Sequence, residues 1–139
     1  MEWRRLEKDD YHRDYISLLK LLTDAPDITY EEFVSTFDHL SDNIYILVAV
    51  IDSTVVATGT LIFEQKFIHG GARCAHIEDV VVRTPGNGVG SELLERLVNL
   101  ANGCYKITLD CSSQVIGFYE KSGFTTHGTQ MVKYMRQNA

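Results

Sequence analysis

The chain has 139 residues, one domain's worth, and 45% of them are hydrophobic, enough for a single sizeable core. Its formal net charge of −6 argues against nucleic acid or an anionic membrane as the main partner. No apolar run approaches about 18 residues, so neither a signal peptide nor a membrane span is expected, and the expected compartment is the cytoplasm.

The 13 basic residues are unevenly placed. None lies between Lys20 and Lys66, whereas Asp24, Asp27, Glu31, Glu32, Asp38, Asp42, Asp52 and Glu64 do. An anionic ligand must therefore be met by the N-terminal helix, by residues from Lys66 onward, or by backbone amides. Arg5-Leu6 followed by His12 has the look of an N-terminal peroxisome-type address, a pattern that Arg13 breaks. Cys74, Cys104 and Cys111 make an odd set with no C-x-x-C and no metal-like His/Cys spacing. They are expected to be reduced, mostly buried thiols, with no bound metal.

In chain order, Glu2–Leu6 reads as a short strand. Asp9 or Asp10 can cap a helix with Tyr15, Ile16, Leu18, Leu19 and Leu22 as its apolar positions, and Pro26 ends that unit. Thr29 followed by Glu32 is a capping box that opens a second helix, with Phe33, Val34 and Phe37 inward. Tyr45–Ile51 and Val55–Ile68 form a hairpin about a tight turn at Asp52-Ser53. Gly70-Gly71 turns the chain again, and Arg73–Val82 returns. Ile77–Val82 is β-branched and nearly all apolar, as expected of a buried strand.

A loop over Thr84–Gly90 then leads into an amphipathic helix, about Ser91–Ala101, with Leu93, Leu94, Leu97, Val98 and Ala101 on one stripe and Asn102-Gly103 at its end. Tyr105–Cys111 reads as a further strand, Gln114–Lys121 as a short helix ended by Gly123, and Phe124–Met135 as a last strand. With no repeat or linker, the order predicts one domain over 1–139, an α/β (mixed α+β) fold with a mixed sheet flanked by helices.

Gly86, Gly88 and Gly90 leave the backbone bare where that helix begins, so free N–H groups and the helix dipole point the same way at an anion. The stretch is not a Walker loop, because Ser91-Glu92 stands where Lys-Ser/Thr is required. Nor is it a dinucleotide fingerprint, because Ser91 replaces the last glycine and some 70 residues precede the β-α-β unit. A phosphorylated ligand on bare amides remains, beside the bland reading of a tight turn.

Four segments in order resemble the glucosamine 6-phosphate N-acetyltransferases of the GNAT superfamily: KFIH at 66–69, HIEDVVV at 76–82, GCYKITLDC at 103–111 and FYEKSGF at 118–124. The likeness runs from about Leu19 to Met131. It implies the GNAT acyl-CoA N-acyltransferase fold, in which two parallel strands splay and acetyl-CoA slots between them. Val80, Val81 and Val82 would hold the pantetheine arm, and the amides of Gly86, Asn87, Gly88, Val89, Gly90 and Ser91 the pyrophosphate. Asp110 would also border the cofactor. Tyr119 matches the tyrosine whose hydroxyl lies by the CoA sulfur, where a phenol can protonate the departing thiolate.

For the sugar phosphate the resemblance points to Thr23, Lys66, Phe67, Ile68, His69, Glu78, Asp79, Tyr105 and Lys106. Two ammonium groups and an imidazole suit a phosphate dianion, in keeping with the charge map. Alternation puts Glu78 and Asp79 on opposite faces, so at most one meets the amine. Glu78 or Asp110 would assist deprotonation of that amine, with the backbone N–H of Val80 facing the oxyanion. Transfer would be direct, since no cysteine sits in a nucleophile motif.

Two positions depart from the family. Pro85 stands where the loop usually carries Arg or Gln, with a lead-in about two residues short, and Arg83 is the candidate replacement. Val115 stands where an asparagine is usual. The resemblance also implies a homodimer completed near the C-terminal strand, where Lys133 or Arg136 can reach a partner's phosphate pocket. The leading expectation is acetyl transfer from acetyl-CoA to glucosamine 6-phosphate, towards UDP-N-acetylglucosamine. A GNAT enzyme for another small amine and a non-catalytic CoA-binding domain are the alternatives.

Overall fold

The computed structural model describes residues 1–136. Met1–Leu109 forms one compact unit, and the chain from Asp110 onward forms a second. The first unit holds one sheet of β1 (Glu2–Arg5), β2 (Ile44–Ile51), β3 (Thr54–Gln65), β4 (Arg73–Val82) and β5 (Lys106–Leu109), neighbours in that order. Pairing is antiparallel up to β4 and parallel between β4 and β5, as a meander followed by one crossover requires. Asp52 and Ser53, at φ 48° and 62°, supply the left-handed pair that a two-residue hairpin turn needs.

Three local predictions shift. The strand expected to reach Ile68 stops at Gln65, and Ile68–Gly71 forms a single helical turn, α3, with His69 and Gly70 left-handed. Gln65 closes this turn, its amide donating to the Gly71 carbonyl at 2.8 Å. The N-terminal helix expected from an Asp9 or Asp10 cap is two pieces, a 3-10 helix over Lys8–Arg13 and α1 (Tyr15–Leu19), separated by Asp14 at φ 64°. Asp10 is fully buried, accepting from Arg4 at 2.8 and 2.9 Å, from Arg13 at 3.0 Å and from the Glu7 amide at 2.8 Å. Leu22, expected inside, is exposed beyond the end of α1.

The capping box at α2 (Tyr30–Asp38) forms as read: Thr29 Oγ1 accepts from the Glu32 amide at 3.1 Å, and Glu32 accepts from the Thr29 amide at 2.9 Å. Tyr15 and Leu18 of α1 and Phe33 of α2 pack with Leu6, Val48, Val50, Val55 and Val81 on one face of the sheet. The other face carries α4 (Val89–Leu100), whose Leu93, Leu94 and Leu97 are buried. This helix begins two residues before the expected Ser91, because Gly88 at φ 85° already serves as its N-cap. Gly59 on β3 lets it come close: a Cβ there would lie 2.8 Å from Leu97 Cδ1.

Two bulges re-aim side chains. The register between β2 and β3 skips Val56, and that between β3 and β4 places Asp79 and Val80 opposite the single Gly59. Asp79 takes up φ 53° to do so.

In the second unit a 3-10 turn over Ser113–Val115 runs into α5 (Ile116–Glu120), which ends where Gly123 at φ 90° donates to the Glu120 carbonyl at 3.0 Å. The strand expected over Phe124–Met135 is not formed. Among the described residues no ladder partner lies beside it, and without one an extended segment cannot become a strand. Its apolar side chains Met131, Val132, Tyr134 and Met135 are exposed. Of the three free cysteines only Cys74 is buried, and Cys104 and Cys111 flank β5 rather than lie on it.

Replacing Gly59 by Ala pushes a methyl into Leu97, and we expect it to lower unfolding stability by about 1–2 kcal/mol, measured as a shift of the urea midpoint at unchanged slope. Asp10 gives a pH signature. Burial raises its carboxyl pKa, but the hydrogen bonds and charges of Arg4 and Arg13 and the Glu7 amide outweigh this and hold it below the usual range. A lowered folded-state pKa adds stability that is present above the unfolded value, near pH 4, and is lost as pH falls through the folded value. Asp10→Asn should therefore be less stable than the parent at pH 7 and approach it at pH 3 in thermal melts.

Candidate active site

The parallel ladder between β4 and β5 covers only Cys74 to Ile77, opposite Lys106 to Leu109. Beyond Ile77, β4 still pairs with β3 through Val81 and Val82, so its other edge is left unpaired by strands. The Arg83 amide donates to Val56 on β3 at 2.7 Å. By the two-residue period, the amides and carbonyls of Val80 and Val82 face that open edge. An extended ligand carrying amides can dock there as a further strand would.

The Asp79 bulge also resets the faces. Paired residues share a face, so Glu78 opposite Thr60 and Val81 opposite Thr58 both point towards α1 and α2. Val80 turns to the α4 side, with its Cγ2 3.5 Å from where a Gly59 Cβ would be. The simple alternation expected of Glu78 and Asp79 is thus interrupted. Glu78 is half-buried and Asp79 is exposed at the bend. Beneath the bend lie Thr58, which is buried and donates to the Leu47 carbonyl at 2.8 Å, and Tyr15. Burial, with the charges of Asp79 and Asp10, pushes the Tyr15 phenol up to about 12 despite a hydrogen bond with Thr58. Nothing in the sequence pointed to Tyr15 or Thr58, since both match ordinary core positions.

From Val82 the chain runs through an exposed loop, Thr84–Gly88, into α4. The Val89 amide donates to Asn87 Oδ1 at 3.3 Å, and Glu92 closes the first turn onto the Gly88 carbonyl at 3.1 Å. Pro85-Gly86 forms a turn, and the amides of Gly86, Gly88, Gly90 and Ser91 donate to no acceptor among the described residues. Side chains added at Gly86 or Gly88 would touch nothing within 4 Å, so the cradle is open to solvent. Four free donors around a helix start fit a pyrophosphate. The Arg83 guanidinium does not join them: it donates to the carbonyls of Val55 and Asp14 and to Ser17 Oγ.

A second cluster sits at the opposite end of β4. Lys66 pairs with Glu64 at 2.8 Å, and Glu64 also accepts from His76 at 3.1 Å, whose other ring nitrogen contacts Thr108. The Lys66 hydrogen bond, then that of His76, holds the Glu64 carboxyl low, and Glu64 raises Lys66 in turn. His69 stacks on Tyr105 with centroids 4.2 Å apart, which brings α3 onto the head of β5 beside exposed Lys106. Phe67 and Ile68 are exposed on the same turn. Thr23 is exposed beyond α1, its amide donating to Leu19 at 3.2 Å. Lys66, His69, Tyr105 and Lys106 are thus brought together, but away from Glu78–Val82.

In the second unit, Asp110 is exposed and accepts from the Gln130 amide. Tyr119 on α5 is half-buried, edge-on to Phe118 and Phe124. Burial, and then Cys111, raises its pKa, so the phenol keeps its proton at neutral pH.

Comparison with known proteins agrees with this geometry. The model of the acetyltransferase (GNAT) family matches residues 2–124. A protein of Oryza sativa subsp. japonica named "Probable glucosamine 6-phosphate N-acetyltransferase 2" is 41% identical over 94% of this chain and 86% of its own. The Candida albicans glucosamine 6-phosphate N-acetyltransferase is 38% identical over 94% and 93%. The crystal structure of the Arabidopsis thaliana glucosamine-6-phosphate N-acetyltransferase superposes with a TM-score of 0.92 at 36% identity, covering 97% of this chain and 98% of that one. A splayed strand pair leading into a cradle of free amides, together with these likenesses, places the chain in the glucosamine 6-phosphate N-acetyltransferase family of the GNAT acetyl-CoA-dependent N-acetyltransferases.

Proposed function

We propose that the protein acetylates the 2-amine of glucosamine 6-phosphate. The observation that carries the donor half is the unpaired edge of β4 running into the free amides of Gly86, Gly88, Gly90 and Ser91. Acetyl-CoA supplies an acyl group on a good leaving group; every other contribution comes from the chain. Val80 and Val82 receive the amide arm, and the loop amides receive the pyrophosphate. The Val80 N–H, on that open edge, would face the oxygen on which charge develops. The resemblance gives Glu78 or Asp110 as the group that would accept the amine proton and Tyr119 as the one that would donate to the thiolate.

The acceptor half rests on Lys66, His69 and Lys106. The family resemblance implies a homodimer, in which a second copy can bring its Lys66, His69 and Lys106 to the first chain's Glu78–Val80. The exposed apolar run at Met131–Met135, with Lys133 and Arg136 beside it, suits strand addition onto that copy.

Thiol release from acetyl-CoA with glucosamine 6-phosphate, beside unphosphorylated glucosamine, tests the substrate. Turnover should require the phosphate, and Lys66→Ala or Lys106→Ala should lower kcat/KM for the sugar phosphate roughly 10- to 100-fold, as the loss of a charged hydrogen bond does. Equal rates with both sugars would discard the phosphorylated substrate. Shared sites can be read by mixing two weak variants, Lys66→Ala and Gly90→Asp, the second placing a carboxylate against the pyrophosphate. Mixed dimers carry one intact site, so activity should recover well above either variant alone; no recovery would mean that each chain is self-sufficient.

A further inference from the structure

We propose that Arg83 is the positioning residue of the CoA loop, fixing its entry from behind and doing by preorganisation what a phosphate-facing side chain would do by contact. The inference rests on the reading of Gly86–Ser91 as the pyrophosphate cradle.

The loop has little else to hold it. Thr84, Pro85, Gly86, Asn87 and Gly88 are all exposed, Gly86 and Gly88 have positive φ, and only a loose turn over Pro85-Gly86 joins these five residues to one another. Its exit is fixed by the first turn of α4. Its entry is fixed at Arg83, through both backbone and side chain. The Arg83 amide takes the Val56 carbonyl at 2.7 Å, and the guanidinium takes the neighbouring Val55 carbonyl at 3.1 and 3.4 Å. Val56 is the residue that the β2–β3 register skips, and a single arginine takes its carbonyl through the amide, as the next rung beyond Ala57 and Val82, and the Val55 carbonyl through the guanidinium. The same Nη2 reaches the Asp14 carbonyl at 3.1 Å and Ser17 Oγ at 3.3 Å.

These bonds tie the last residue before the glycine loop to the left-handed corner at Asp14 and to the start of α1. A flexible, glycine-bearing loop loses conformational freedom when it closes on a ligand, and a clamp at its base reduces that loss before binding. The planar fork of arginine suits several acceptors at once, which a lysine ammonium cannot replace. Pro85 adds to the effect by fixing its own φ, although it offers no donor.

The test is calorimetric binding of CoA and of pantetheine, which lacks the pyrophosphate, to the parent, Arg83→Ala and Arg83→Lys. Melting temperatures confirm that each variant is folded. Both variants should bind CoA about tenfold more weakly than the parent while pantetheine affinity stays within about twofold. Should Arg83→Ala not fold, Ser17→Ala with Arg83→Lys carries the same comparison, the first with a smaller loss in the same direction. Full CoA affinity in Arg83→Lys would mean that charge alone acts, and would overturn the proposal. So would equal losses for CoA and pantetheine, which indicate a general structural role, or no loss for either. Because no acceptor is present, failure of the sugar assignment leaves this result readable. A parent that binds CoA no better than pantetheine would instead overturn the cradle itself and the inference with it.

Discussion

The structure depends on where the β4–β5 ladder ends. Parallel pairing is complete from Cys74 to Ile77 and then stops, while β4 continues for five more residues against β3 alone. Backbone amides and carbonyls are obligatory hydrogen-bonding groups, so an unpaired edge inside a sheet has to be met by water or by a ligand. The Asp79 bulge lies at this point and makes the edge usable. It lets Glu78 and Val81 share the α1/α2 face while Val80 packs towards α4, so an ionisable group and an apolar wall flank the same open backbone. The left-handed φ of Asp79 is set by the β3 register, which leaves only Gly59 opposite Asp79 and Val80, and a conformation of this sort persists only where its surroundings over-determine it.

What was legible in the residues is what local chemistry decides. The capping box at Thr29 and Glu32, the hairpin at Asp52-Ser53 and the stripe of Leu93, Leu94 and Leu97 each declare themselves within a few positions. The segments HIEDVVV and GCYKITLDC, which carry the resemblance, contain the end of β4 and all of β5. What failed depended on partners outside the segment's own local pattern. Asp10 reads as a helix cap because its neighbours are helical in pattern, yet Arg4 on β1 draws it inside. Alternation across Glu78 and Asp79 assumes an unbroken ladder, and a bulge is fixed by the strand opposite, not by its own sequence. Phe124–Met135 has the composition of a strand, but a strand is a relation between two segments, and among the described residues no second one pairs with it.

The charge pattern explains how an acidic protein can serve anionic ligands. A diffuse basic surface would raise capture rates for every phosphate in solution, whereas amide dipoles at a helix start act only at short range and in one geometry. As the proposed donor cradle, the start of α4 would use the second device, with Glu92 at its edge paired with Arg96 at 3.2 Å. The acceptor cluster uses point charges, but Lys66 stands beside Glu64, which also engages His76. At neutral pH the directions of both shifts keep Glu64 and Lys66 charged, so an arriving phosphate meets a cation that already has one carboxylate partner. Such a lysine rewards a ligand only when further donors are placed around the same oxygen atoms. His69, held over Tyr105, and Lys106 are placed to do that. On the proposed function such a cluster would discriminate by geometry rather than by charge, the property needed to choose one sugar phosphate among the many anions that a basic patch would admit.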